Sequence, residues 1–221
     1  MSNLYIIATP IGNLEDITLR ALRVIKEADL ILCEDTRHTK RLLDKYEIIA
    51  QTMSYHQHSK ISKIDKIVGL LESGKNLALV SDAGTPGISD PGNKLVEYLV
   101  ENKIDVNIIP IPGPSAVVSA LSISGFPTDN FVFLGFVPHK KGRQTFFKNI
   151  ANEKRTVVFY ESPHRIRKAL ESMKEYLPEK EIVVCRELTK IYETIYRGTP
   201  GEVTKKITPE QIKGEFVLVV R

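Results

Sequence analysis

The sequence predicts an α/β protein in two parts, the first built on a mostly parallel sheet and the second on a mixed sheet. Three observations predict it. Short apolar runs alternate with amphipathic stretches through the first half, and several apolar runs follow one another near the end. Glycine and proline also gather in the loops that follow the apolar runs, where α/β proteins place ligands. At 221 residues the chain has room for one large domain or two modest ones.

In the first half, "LYIIA" (4–8) has the compact apolar character of a buried strand and "ITLRALRVIKEA" (17–28) the spacing of an amphipathic helix. "LILCE" (30–34) is a second strand and "RHTKRLLDKY" its helix. "TMSYH" is a short third strand, and "SKIDKIVGLLES" a helix ending at Gly74. "NLALV" (76–80) and "DVNIIP" (105–110) are strands around a helix at 93–102, for which Asp90, just before Pro91, reads as the N-cap. A last helix begins at "GPSAVVSALSI", with Pro114 expected in its first turn.

"SGFPTDN" (124–130) breaks the pattern and is expected to divide an N-terminal domain, 1–123, from a C-terminal one, 124–221. Beyond it, "FVFLGFV", "RTVVFYE", "EIVVCREL", "YETIYRG" and "EFVLVVR" read as five strands, with helices over "RQTFFKNIAN" and "SPHRIRKALESMKEY".

Composition narrows the class of protein. With 42% hydrophobic and 26% charged residues the chain reads as an ordinary soluble protein. No apolar run approaches the roughly 18 residues of a membrane span. The N-terminus lacks a basic leader, and Cys33 and Cys185 lie in apolar runs, so buried thiols in the reducing cytoplasm are expected. No His/Cys spacing suggests a metal site. His38, His56 and His58 read as ordinary loop or surface histidines, and His164 as no more than the start of a helix. Charge is uneven: residues 1–123 carry 13 Lys/Arg against 15 Asp/Glu, whereas 124–221 carry 18 against 12. A basic second half suits a polyanion such as nucleic acid, or is simply a solvated face.

The segment "VSDAGTPGISDPGNKL" (80–95) is the densest in glycine and proline. It is longer than the two to six residues, roughly, of an ordinary connection between strand and helix. Glycine lets a backbone approach a ligand and proline stiffens it. "TPIGNLED", "EDTRHTK", this segment and "IPGPSA" all follow strands, so a parallel sheet should gather all four at one edge. The phosphate loop, the dinucleotide glycine pattern and the G-x-S-x-G elbow are absent.

"ATPIGNLEDITLRAL", "CEDTRHTKRLL", "SDAGTPGISDPG", "IPGPSA", "FLGFVP", "FYESPHRI" and "CRELTKIYE", in this order from residue 4 to 220, resemble the tetrapyrrole methylase family, and within it the small-subunit ribosomal RNA methyltransferase I type. The resemblance implies two α/β domains of that fold with S-adenosylmethionine in the cleft between them, usually in a homodimer. It implies methyl transfer to the ribose 2′-hydroxyl of a cytidine in small-subunit ribosomal RNA. It places the cofactor against Pro10, against Asp82, Ala83 and Gly84, and against Ile88 and Ser89. Ser115 and Ala116, Leu134, and more loosely Glu215 and Phe216 complete that set. Many relatives continue past the last strand with a helical extension, so a chain ending there is expected to bind RNA more weakly or to lean on its dimer.

The chemistry expected from these residues is in-line displacement at a methyl carbon, in which alignment supplies much of the rate and a base assists. Glu161, ending the strand "TVVFYE", is the first candidate to orient the hydroxyl. Lys190 is the alternative, as base or phosphate contact, and Asp35 is a third candidate. Arg37, Lys140, Lys141 and Arg143 are candidate RNA contacts. The plain alternatives are ion pairs: Glu161 and Glu187 with Arg165 or Arg186, and Asp35 with Arg37. For Asp82 the plain alternative is a helix or turn cap. Two competing functions are a precorrin-type methyltransferase, disfavoured by "ATPIGNLED" and the basic "HKKGR", and a non-catalytic protein that binds cofactor and RNA.

Overall fold

The computed structural model describes residues 1–56, 59, 61–90 and 92–221; His58 and Pro91 lie outside them. The chain divides into two compact units, Met1–Ser115 and Ala116–Arg221.

The first unit strings together β1 (Ser2–Ile7), α1 (Leu19–Glu27), β2 (Leu30–Cys33), α2 (Thr36–Lys45), β3 (Thr52–Ser54), α3 (Ile61–Glu72), β4 (Leu77–Val80), α4 (Asn93–Glu101) and β5 (Val106–Ile111). The strands form one sheet in the order β3-β2-β4-β1-β5, every pair parallel. Alternating residues serve opposite faces, as pleating requires. Ile31, Cys33, Ala78 and Val80 pack with Val24 and Ile25 of α1 and Leu42 and Leu43 of α2. Leu32, Leu77 and Leu79 pack with Ile67 and Leu71 of α3 and Leu95 and Leu99 of α4. Burial on both faces explains why these strands read as continuous apolar runs. Thr18 caps α1 by accepting from the Ala21 N–H.

The second unit opens with α5 (Ala116–Ser124), then β6 (Phe131–Phe136), α6 (Arg143–Asn152), β7 (Thr156–Glu161), α7 (Ile166–Tyr176), β8 (Ile182–Arg186), β9 (Thr194–Gly198), α8 (Pro200–Lys206) and β10 (Phe216–Val220). Its sheet runs β6-β7-β10-β8-β9, with β6 and β7 parallel and the other pairs antiparallel. Phe147, Phe159, Leu170, Met173, Val184 and Leu218 fill the core between one sheet face and helices α6 and α7. The parallel first sheet and mixed second sheet are those the sequence predicts. Cys33 and Cys185 are buried free thiols, and burial pushes Cys185 up to about 12.

Several local expectations need correction. Pro114 precedes α5 instead of lying in its first turn. The N-cap of α4 is Gly92, not Asp90. α5 packs on β7 and β10, so the division into units falls before this helix, whereas the Gly/Pro break at 124–130 lies after it. The sequence reading also passed over α8, which Thr199, Pro200 and Glu202 start with a full capping box.

Candidate functional site

Parallel strands put the loops after β1, β2, β4 and β5 at one edge of the first sheet. Two of these loops are tied backbone to backbone. Thr9 N–H donates to Gly84 O at 2.9 Å and Gly84 N–H returns to Thr9 O at 3.0 Å. The Thr9 hydroxyl donates to Ser81 O at 3.0 Å. Gly84 holds φ +80°, a left-handed conformation that costs other residues. The loop after β5 lies closer still: a β-carbon on Gly113 would sit 3.0 Å from that of Ala8. "TPIG", "SDAG" and "PGPS" therefore form one seam in which backbone faces backbone.

Of the residues assigned to the cofactor, Pro10 and Gly84 are buried in this seam, and Asp82 and Ala83 are half-buried between them. Asp82 is more than a turn cap. Its Oδ1 accepts from Asp35 N–H at 3.1 Å and joins the loop after β2 to the loop after β4. Ile88 and Ser89 are exposed, Ser89 with φ 61°, and Ser115 is half-buried in the β5 loop. Asp35 caps α2 and clasps Arg37 through Nε at 3.1 Å and Nη2 at 2.7 Å, which holds its carboxyl down at about 2. Burial, and then the charge of Asp82, raises the neighbouring Glu34 above its ordinary value. Beside the Asp35–Arg37 pair this edge keeps the carboxyl groups of Glu34 and Asp82, which suit a small cationic ligand such as a sulfonium. Thr9 and Ser81, which lock the seam, escaped the sequence reading although both lie in its quoted motifs.

The second sheet also gathers its motifs at one edge. Phe216 at the start of β10 stands opposite Glu161 at the end of β7 and Arg186 at the end of β8. Glu161 has no exposed side-chain surface. Its Oε1 pairs with Arg165 Nη2 at 2.9 Å and accepts from Ser162 N–H at 2.7 Å, while Oε2 lies 3.6 Å from Arg143 Nη1. Arg165 also donates to Val137 O at 2.8 Å, and the Arg143 guanidinium lies over the Phe147 ring. The carboxylate first considered for the hydroxyl is thus enclosed by two arginines. Arg143, read as an RNA contact, is mostly buried in that cluster, while Lys140 and Lys141 are exposed.

Lys190 is the hub of a second network. Its ammonium donates to Glu187 Oε1 and to Glu215 Oε2, both at 2.9 Å, and Glu215 N–H donates to Glu187 Oε1. Burial alone would lower Lys190, but the two carboxylates outweigh it and raise the ammonium above its ordinary value. Glu187 moves oppositely: burial pushes it up, yet the Glu215 N–H and Lys190 prevail and hold it low. Leu134 is partly exposed on β6, Ala116 opens α5, and Phe216 is buried in the core. Among the described residues no group of three His, Cys, Asp or Glu is placed to hold a metal, and no helix is long and apolar enough to cross a membrane.

Comparison with known proteins agrees with this architecture. Ribosomal RNA small subunit methyltransferase I of Halalkalibacterium halodurans is 48% identical over 218 residues, covering 98% of this chain and 75% of that protein. The enzyme of the same name from Thermotoga maritima is 44% identical over 220 residues, covering 100% and 98%. Uroporphyrin-III C-methyltransferase of Thermus thermophilus, solved with S-adenosyl homocysteine, matches the fold with a TM-score of 0.66 at 15% identity over 98% of this chain and 96% of that one. The family model for tetrapyrrole (corrin/porphyrin) methylases matches residues 3–204. Spanned by that model almost from end to end, this chain belongs to the tetrapyrrole methylase family.

Proposed function

We propose that the protein transfers the methyl group of S-adenosylmethionine to the ribose 2′-hydroxyl of a cytidine in small-subunit ribosomal RNA, acting as a cytoplasmic homodimer. The observation that carries this reading is 44% identity over the whole chain to a protein named as a small-subunit ribosomal RNA methyltransferase, in a relative of nearly equal length. The first-sheet edge supports it, since its carboxyl groups and carbonyls match the charge of a sulfonium. When bound, S-adenosylmethionine supplies a methyl group activated by that positive sulfur.

The chain's own residues then divide the task. Pro10, Asp82, Ala83 and Gly84 hold the methionine portion, with Ile88 and Ser89 at its far end. Ser115, Ala116 and Leu134 border it, and Glu215 and Phe216 lie toward the adenine. Asp35, with a carboxyl near 2, is too weak a base to draw a proton from a ribose hydroxyl. Lys190 is held as an ammonium and suits a phosphate contact. Glu161 fixes Arg143 and Arg165, and so acts as a positioning residue. The weight of catalysis therefore falls on alignment of hydroxyl, methyl and sulfur. Arg37, Lys140 and Lys141 meet the RNA backbone.

The test incubates the protein and radiolabelled S-adenosylmethionine with small ribosomal subunits from cells lacking the enzyme. Naked ribosomal RNA and a precorrin serve as parallel substrates. Label at an alkali-resistant ribose position is the expected result. Label only in the precorrin overturns the substrate, and cofactor binding without any transfer overturns the enzyme reading.

A further inference from the structure

A cleft of about 510 Å³ opens at the same edge of the second sheet. That volume lies in the range, roughly 300–1,000 Å³, of clefts that bind ligands. Pro163, His164 and Arg167 line one side, just past β7; Ile212, Lys213 and Gly214 line the other, just before β10. None of these residues belongs to the cofactor or RNA contacts assigned above. We propose that this cleft binds the phosphodiester backbone of the substrate RNA, an inference that rests on the RNA methyltransferase reading.

Charge and shape carry the assignment. His164, Arg167 and Lys213 are exposed side chains around an apolar floor of proline and isoleucine. Among the described residues, neither Arg167 nor Lys213 is in an ion pair within 4 Å. Two acidic groups lie near: Glu210, whose carboxyl is lowered first by Thr208 and only lastly by Arg167, and Glu187, which packs against Gly214 and is paired with Lys190. Cationic rims over apolar floors suit a sugar–phosphate chain, with phosphates at the rim and riboses against the floor.

The walls are also held in place. Arg186, 8% exposed, donates from Nε to Lys213 O at 2.8 Å and from Nη1 to Tyr192 O at 3.0 Å. Gly214 has φ +98°, and the Glu187 side chain occupies the space a β-carbon there would need. The segment carrying Lys213 is thus fixed before RNA arrives, so less ordering is required on binding.

The experiment is steady-state methylation of small subunits by wild type and by the double variant Arg167→Ala/Lys213→Ala, over a series of salt concentrations. Both side chains are exposed, so folding should persist, as a thermal melt will verify. The expected result is a KM for subunits raised about tenfold, with kcat far less affected and S-adenosylmethionine affinity intact. The slope of log affinity against log salt should shrink by about 1.4, the loss of two contacts at roughly 0.7 each for single strands. Lys213→Arg should retain the wild-type KM. Unchanged KM and slope in the double variant, with wild type active, overturn the cleft proposal alone. Absence of RNA methylation by wild type overturns the function reading instead. Competition by adenosine monophosphate that depends on Arg167 and Lys213, with subunit KM unmoved, would assign the cleft to a free nucleotide and overturn the RNA proposal.

Discussion

The two sheet edges are built in opposite ways. At the first, backbone meets backbone: Thr9 and Gly84 exchange hydrogen bonds and Gly113 abuts Ala8. At the second, charges meet charges: Glu161 sits between two arginines and Lys190 between two glutamates. The first edge is joined through main-chain groups, with the Thr9 hydroxyl and the Asp82 carboxylate bonding to them, and the second through the pairing of charged side chains. At Gly113 the seam has little room for an added atom, whereas a paired edge tolerates no missing partner.

The largest effect should come from breaking the buried pair. Glu161→Ala leaves Arg143 and Arg165 facing one another without a counter-charge, and stability in urea should fall by about 3–5 kcal/mol. A loss below about 1 kcal/mol would show that solvent reaches the cluster, and the contrast between the edges would fail. Next comes the seam. Gly113→Ala adds one carbon against Ala8 and should cost about 1–3 kcal/mol, with a parallel loss of S-adenosylmethionine affinity in calorimetry. Unchanged affinity would detach this seam from the cofactor.

Lys190→Met should have a smaller effect at neutral pH, about 1 kcal/mol or less, with a pH signature. Glu187 lies below its unfolded value in the folded protein, so its stabilisation is present above that value and fades as pH falls. Removing Lys190 should raise Glu187 and flatten the acid limb of stability as pH falls through and below the ordinary carboxylate range. Identical limbs in both proteins would credit the Glu215 N–H alone. The smallest effect belongs to Arg37→Ala, where the pair is solvent-exposed and stability should scarcely change. Asp35, now about 2, should climb toward its ordinary value near 3.9 in an NMR titration. Its folded value lies below the unfolded one, so the stabilisation it gives above about pH 4 is lost on the way down to 2. A carboxyl that stays near 2 would mean that the helix-capping N–H groups hold it.

Much of the fold was legible because its signals are local. Strands such as "NLALV" are buried on both faces and so are apolar throughout, and "RQTFFKNIAN" matches α6 residue for residue. Convergence of four loops followed from parallel order alone. Local signals also misled: Asp90 before Pro91 has the form of a cap, yet α4 starts on Gly92, and α8 was too short to show a period.

What the sequence determined by itself was the pair of α/β units, the motif order, and the loops that carry the family's motifs. These follow from periodicities of two and 3.6 residues and from glycine and proline, each acting over a few neighbours. The tertiary structure alone decided which charges are spent on one another. Glu161 meets Arg143 from another element, Asp82 receives the Asp35 N–H, and Arg186 braces Lys213 and Tyr192. Such pairings depend on distance in space and on burial, and residues far apart in a chain carry no local mark of either.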